Sequence, residues 1–183
     1  MTVLPRRLCL RGCDGYTLVE MLIVLVILAV VMEGLTTLFV RASNAEVDMN
    51  NRYQAQSAAR LALDKLRREI HCASVATPVA TPTSTITLTL PTYCKTGSGS
   101  ITWCTRSVST NRYALYRVVG TSCTGGIKWA DYLTTANAFN FTAQTATSLA
   151  SLHVDLAVNI NPRRGVDGYE LVDDIVLRNS SRS

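Results

Sequence analysis

Two hydrophobic periods divide the chain. From Leu18 to Val40 the residues are apolar on every face, interrupted only by Glu20, Glu33, Gly34, Thr36 and Thr37. At 1.5 Å per residue this segment spans about 35 Å as a helix, enough to cross a bilayer core of about 30 Å. Residues 41–73 then contain neither proline nor glycine, and Met49, Tyr53, Ala59, Leu63, Leu66 and Ile70 recur near one face of a 3.6-residue period. Asp48 with Arg52, and Asp64 with Arg68, have the i,i+4 spacing of surface ion pairs. The apolar stripe is thin through Ser43, Asn44, Asn50 and Asn51 and denser after Ala58, so only the second half is built to pack against a domain. A single long helix from Tyr16 to about Cys72 is predicted, closed by Pro78 and Pro82 in a Thr/Pro/Ala-rich connector, 74–84.

After the connector the period changes to two. Ile86, Leu88 and Leu90 alternate with Thr85, Thr87 and Thr89, which reads as a half-buried strand. A Gly/Ser loop at 97–100 leads into a return strand at 101–105, and 112–119 form a third, ended by Gly120. Shorter candidates are 127–129 and 139–141. The clearest alternation runs from Leu152 to Ile160, and after a loop marked by Pro162, Gly165 and Gly168, residues 171–177 close the sheet. Strands at this spacing, without a second long helix, predict an α+β fold: a small antiparallel sheet packed on the carboxyl half of one helix. The predicted parts are a leader (1–15), a transmembrane half-helix (16–40), an amphipathic half-helix (41–73), the connector, and a β-rich domain (85–183).

Charge refines the anchor. Arg6, Arg7 and Arg11 precede the apolar run and a lone Arg41 follows it, which predicts a cytoplasmic amino end and an extracytoplasmic remainder. The leader is basic and lacks the apolar core of a cleavable secretory signal. Its glycine boundary comes before the apolar region, so a cut there leaves the anchor on the product. The net charge of +5 falls to +3 without residues 1–15, and the remaining basic residues are scattered. Nucleic acid is therefore not indicated as a partner. Glu20 is the odd element, because a carboxylate in lipid costs about 2.5–3.5 kcal/mol even on the gentlest insertion scale.

Of six cysteines, Cys9 and Cys13 lie in the leader, while Cys72, Cys94, Cys104 and Cys123 lie beyond the anchor. An even set in an extracytoplasmic domain favours two disulfides over a zinc site, since no Cys-x-x-Cys pair is present. Three connectivities are open; the Gly/Ser turn between Cys94 and Cys104 suggests a hairpin bridge, leaving Cys72 with Cys123. His71 and His153 have no nearby Ser/Asp or Cys/Asn constellation, so neither a catalytic nor a metal role is assigned and no cofactor is expected. Asp167, Glu170, Asp173 and Asp174 read as a turn with solvated charges, their spacing being unlike an EF-hand loop. Tyr53, Tyr113, Tyr116, Trp103 and Trp129 are accounted for by strand and core positions. Two readings of Glu33-Gly34 are open: a carboxylate at the outer membrane interface, or a second buried pairing or local unwinding of the helix.

Gly15-Tyr16-Thr17-Leu18-Val19-Glu20, with the basic leader before it and the apolar run after it, resembles the processing motif of type IV pilins and type II secretion pseudopilins. Tyr16 stands where the aromatic residue of that motif is usually Phe. The closing 173–179 segment is similar to the end of some minor pilins and J-type pseudopilins. The resemblance implies a pilin-like fold, cleavage after Gly15 by a prepilin peptidase, and N-methylation of Tyr16 by the same enzyme. It also implies a role for Glu20 in assembly, pairing with the amino terminus of a neighbouring subunit. Implied partners are other pilin or pseudopilin subunits, an inner-membrane assembly platform and the lipid bilayer. The implied protein is a structural subunit and not an enzyme, a minor pilin or pseudopilin of a pilus, a secretion pseudopilus or a DNA-uptake filament. A non-polymerising, membrane-anchored receptor or binding protein is the alternative; it gives no reason for Glu20.

Overall fold

The computed structural model describes residues 16–79, 81–161 and 168–179. The leader with Gly15, Cys9 and Cys13, and the loop residues Pro162, Gly165 and Asp167, lie outside the described residues. Among the described residues, one helix, α1 (Leu18–Cys72), precedes eight strands. The chain divides into two compact units between Val47 and Asp48.

In the first unit, α1 begins at a threonine cap. The Thr17 hydroxyl accepts a hydrogen bond from the Glu20 amide at 3.3 Å, and the Thr17 carbonyl accepts one from the Met21 amide at 3.2 Å. Every side chain from Tyr16 to Val47 is exposed, including the whole apolar series Leu18–Val40. The segment is long and apolar enough to cross a membrane. Large apolar side chains each favour leaving water by about 1.5–3 kcal/mol, so this surface calls for lipid or protein around it.

In the second unit, Ala55, Ala59, Ala62, Leu63, Leu66, Glu69 and Ile70 form the buried face of α1. Met49 and Tyr53, expected on this face, are 74% and 70% exposed. They lie about 100° around the helix from the Ala59–Leu66 line at 100° per residue, so the true stripe starts at Ala55. The sheet runs β1 (Val75–Thr77), β2 (Thr85–Leu90), β3 (Gly99–Ser109), β4 (Arg112–Val119), β5 (Ile127–Leu133), β6 (Phe139–Thr142), β7 (Ser151–Val158) and β8 (Tyr169–Val176). Its order is β1-β2-β3-β4-β5-β7-β6, with β8 also paired to β7, and all the pairings are antiparallel. Ile86, Leu88 and Leu90 of β2, Ile101 and Trp103 of β3, and Leu152, Val154 and Leu156 of β7 face the helix in one core. Their alternate neighbours point to the other face, as the two-residue period requires.

Two expectations change. The connector is not strand-free, because Val75–Thr77 pairs with Thr87–Thr89 as β1 and buries Ala76. Glu170, Asp173 and Asp174 lie in strand β8, where the 169–176 alternation overrides the reading as a turn. Loop 120–126 folds tightly onto β4. At Gly126 (φ +82°) an added Cβ would stand 2.5 Å from the Arg117 carbonyl oxygen and 2.7 Å from Val118, so only glycine fits.

Candidate assembly site and the helix–sheet clamp

The first turn of α1 carries the residues singled out by the sequence. Thr17-Leu18-Val19-Glu20 has the spacing of a capping box, in which the first residue caps the amide of the fourth. The structure makes that amide bond. Glu20 also sits in the first turn, where the exposed amides give the helix end partial positive charge and a carboxylate is favoured. Glu20 thus has a local reason to be where it is, in addition to the role implied for it in assembly. The Thr-x-x-Glu spacing was a legible signal for this.

Farther along the same unit, α1 runs through Glu33 and Gly34 without a break. The Thr36 and Thr37 hydroxyls donate to the Met32 and Glu33 carbonyls at 2.7 and 2.8 Å, so both polar groups are satisfied within the helix. That is the arrangement tolerated in hydrocarbon, where water is not available as a partner. The Glu33 side chain remains exposed.

The second unit contains a feature that sequence reasoning missed. Glu69 is fully buried (0% exposed) on the sheet-facing side of α1. The Trp103 indole N–H from β3 donates to its Oε2 at 2.7 Å, and the Arg117 Nε–H from β4 donates to its Oε1 at 2.8 Å. Lys65, one turn earlier, approaches Oε1 at 3.3 Å. Three donors therefore share one carboxylate, and its charge is balanced from both the helix and the sheet. A charged residue in an otherwise apolar stripe at Leu63-Leu66-Ile70 was the available hint. A second carboxylate network lies at the β4–β5 bulge, where Asp131 accepts from Arg112, Lys128 and the Tyr132 amide at 2.7–3.0 Å. Burial pushes the Asp131 carboxyl up, but those hydrogen bonds outweigh it and hold the group at about 2.

The edge strand β8 is tied to α1 by polar contacts. Arg60 donates to the Tyr169 hydroxyl at 2.7 Å, Arg67 to Asp173 at 2.7 Å, and His71 Nδ1 lies 3.0 Å from the Val176 carbonyl. Arg67 also reaches Asp64 at 3.4 Å, and Asp48 pairs with Arg52 at 2.6 Å as spaced. The Asn179 side-chain amide donates to the Cys72 and His71 carbonyls at 3.0 and 3.4 Å, closing the last turn of α1. His153 on β7 faces Asp174 across the strand pair at 2.8 Å. Among the described residues, no three His, Cys, Asp or Glu side chains gather as a metal site.

The cysteines pair as Cys72–Cys94 and Cys104–Cys123. The expected Cys94–Cys104 and Cys72–Cys123 pairing is thus corrected. Cys104 points to the sheet face away from the helix, beneath loop 120–126, whereas Cys94 belongs to the helix-side core with Cys72 packed against it. The two faces of one sheet cannot share a bridge; each cysteine pairs on its own side.

A long apolar helix with a capped, carboxylate-bearing first turn, joined to a helix-backed antiparallel sheet, is an α+β architecture of the pilin-like kind. Residues 10–32 match the family model of the prokaryotic N-terminal methylation motif, the type IV pilin and pseudopilin signal. The motif implies processing by prepilin peptidase and assembly with other pilin subunits. No curated protein and no solved structure matches the chain.

Proposed function

We propose that this chain is a minor pilin or pseudopilin: a non-enzymatic structural subunit made as a precursor, cut after Gly15, N-methylated on Tyr16, and assembled through its first helix. The observation that carries the reading is the coincidence of the methylation motif at 10–32 with an apolar helix whose side chains are uncovered from Tyr16 to Val47. In this reading the amino end faces the cytoplasm, the sheet domain is extracytoplasmic, and the inner-membrane assembly platform moves the subunit from bilayer to filament. Glu20 then pairs with the amino group of a neighbour's Tyr16, since a carboxylate among apolar helices is tolerated when a cation satisfies it. The filament is a type IV pilus, a type II secretion pseudopilus or a DNA-uptake filament.

Mass spectrometry of the mature amino terminus tests the processing step. A chain beginning with methylated Tyr16 is expected, and an intact Met1 on the membrane-extracted protein overturns it. Glu20→Ala tests the assembly step: cleavage continues, while entry into filaments falls at least tenfold. Normal entry of that variant would refute the pairing. A second variant, Glu20→Gln, keeps a hydrogen-bonding side chain in the first turn, so its failure would separate loss of charge from loss of helix capping.

A further inference from the structure

The ion cluster on Glu69 has a charge left over. Lys65 approaches Glu69 Oε1 at 3.3 Å and the Arg117 Nε–H donates to the same oxygen at 2.8 Å, while Oε2 is taken by the Trp103 indole. Among the described residues, neither Lys65 nor Arg117 has a second carboxylate within ion-pair distance. Two cations therefore share one anion, and the cluster carries one net positive charge. Glu69 is sealed in the core, but the Lys65 side chain is 25% exposed, so the surplus charge can be reached there.

The surface around that charge is apolar. Leu61 lies one turn before Lys65 on the same face of α1 and is exposed. Across the sheet, Ile127 of β5 is the cross-strand partner of Arg117, and Val119 of β4 stands two residues beyond Arg117, opposite Ile101. Ile101 and Arg117 both face the helix, so Val119 and Ile127 point to that side as well. Both are nevertheless exposed. Large apolar side chains left uncovered beside charged ones are the mark of a protein–protein contact. A phosphate polymer calls for several uncompensated cations in a row, and this cluster offers one. A small free anion would leave Leu61, Val119 and Ile127 in water.

We infer that this patch receives a segment of an adjoining filament subunit in which an aspartate or glutamate is flanked by apolar side chains, with Lys65 as its ion-pair partner. The inference rests on the filament reading and adds to it a lateral contact made by the second unit. The incoming carboxylate neutralises the surplus charge, and its apolar neighbours cover Leu61, Val119 and Ile127. A subunit lacking the carboxylate would bury that charge unpaired, so the contact discriminates between neighbours.

The test places a photo-crosslinking amino acid at Val119 in the full chain expressed in its own cells. A second chain carries it at Val24 of α1 as a control for assembly. The Val119 adduct is expected to map to a segment of another subunit that has an aspartate or glutamate beside apolar residues. Lys65→Gln removes the surplus charge and leaves Arg117 and Trp103 on Glu69. It should lower the Val119 yield about tenfold while the Val24 adduct persists, and Lys65→Arg should keep the yield near that of the parent. Ile127→Ser, outside the ion cluster, should lower it as well. The inference is overturned if Lys65→Gln or Ile127→Ser leaves the yield unchanged, or if Lys65→Arg lowers it as far as Lys65→Gln does. It is equally overturned if the Val24 adduct forms and the Val119 adduct does not, or if the latter maps within the chain, to lipid, or to a segment without a carboxylate. Loss of both adducts in the unsubstituted protein would instead refute the filament reading, and the patch inference with it.

Discussion

Removing the Glu69 carboxylate tests the second unit at its most exposed energetic point. Glu69→Ala would strand the Arg117 guanidinium, only 14% exposed, and the indole N–H of Trp103, which is fully buried. Breaking a buried ion pair from one side costs about 3–5 kcal/mol, because the partner's charge remains desolvated. An orphaned buried donor such as the indole N–H costs about 1–3 kcal/mol by itself. The two overlap, so a total of about 4 kcal/mol is expected. For a unit of this size that lowers the melting temperature by about 10–20 °C. The assay is built in: the chain has two tryptophans, and Trp103 and Trp129 lie with ring centroids 5.9 Å apart beside the network. Thermal unfolding of the mature chain in detergent micelles, followed by tryptophan fluorescence, reads the network directly. Glu69→Gln keeps the acceptor for Trp103 and removes only the charge, so about half the loss is expected. Glu69→Leu combined with Arg117→Leu should recover much of it, since both desolvation penalties leave together. A Glu69→Ala protein that melts within about 3 °C of the parent would refute the reasoning, showing that the carboxylate contributes no more than a surface pair.

Other expectations follow from separate features. Asp131, held at about 2, binds fewer protons folded than unfolded, so its contribution of about 2 kcal/mol is complete above about pH 5 and is lost as pH falls toward 2. In Asp131→Asn the acid limb of the stability–pH curve should flatten by that amount, and an unchanged limb in urea titrations would contradict it. Gly126→Ala forces a Cβ against the Arg117 carbonyl in a left-handed backbone region and should destabilise by about 2 kcal/mol or more. Equal melting of the two proteins would mean the loop shifts freely. Peptide mapping without reduction should recover Cys72–Cys94 and Cys104–Cys123, and a Cys94–Cys104 peptide would overturn the observed pairing. Losing either bridge, with loops of 22 and 19 residues, should cost about 3 kcal/mol, visible as an equal shift in urea midpoint.

The elements with an internal period were legible in the sequence. Leu18–Val40 has no polar face, Thr85–Leu90 and Leu152–Val158 alternate strictly, and each is found as the element its period predicts. The motif at Tyr16–Glu20 was equally legible, because its information lies in contiguous residues. What could not be read depends on which face of the sheet a distant residue occupies. Cys94 and Cys104 are close in sequence yet lie on opposite faces, and β1 is too short to show a period and exists through its pairing with Thr87–Thr89. Met49 and Tyr53 stand about 100° around the helix from the core face and upstream of its first buried residue, Ala55, so a loose match to the period placed them wrongly. Nothing local to Glu69 marks its partners, because Trp103 and Arg117 are 34 and 48 residues away.

The ties between α1 and β8 bear on the order in which the molecule is completed. Arg60 with Tyr169, Arg67 with Asp173, His71 with Val176 and Cys72 with Asn179 join residues more than a hundred positions apart. The last turn of the helix emerges from the ribosome early and stays open until β8 and Asn179 have been made. A chain interrupted before β8 would leave β7 without one neighbour and the helix end with bare carbonyls. Closure of the domain therefore waits on the synthesis of β8, and a subunit interrupted before it is marked by its own exposed backbone.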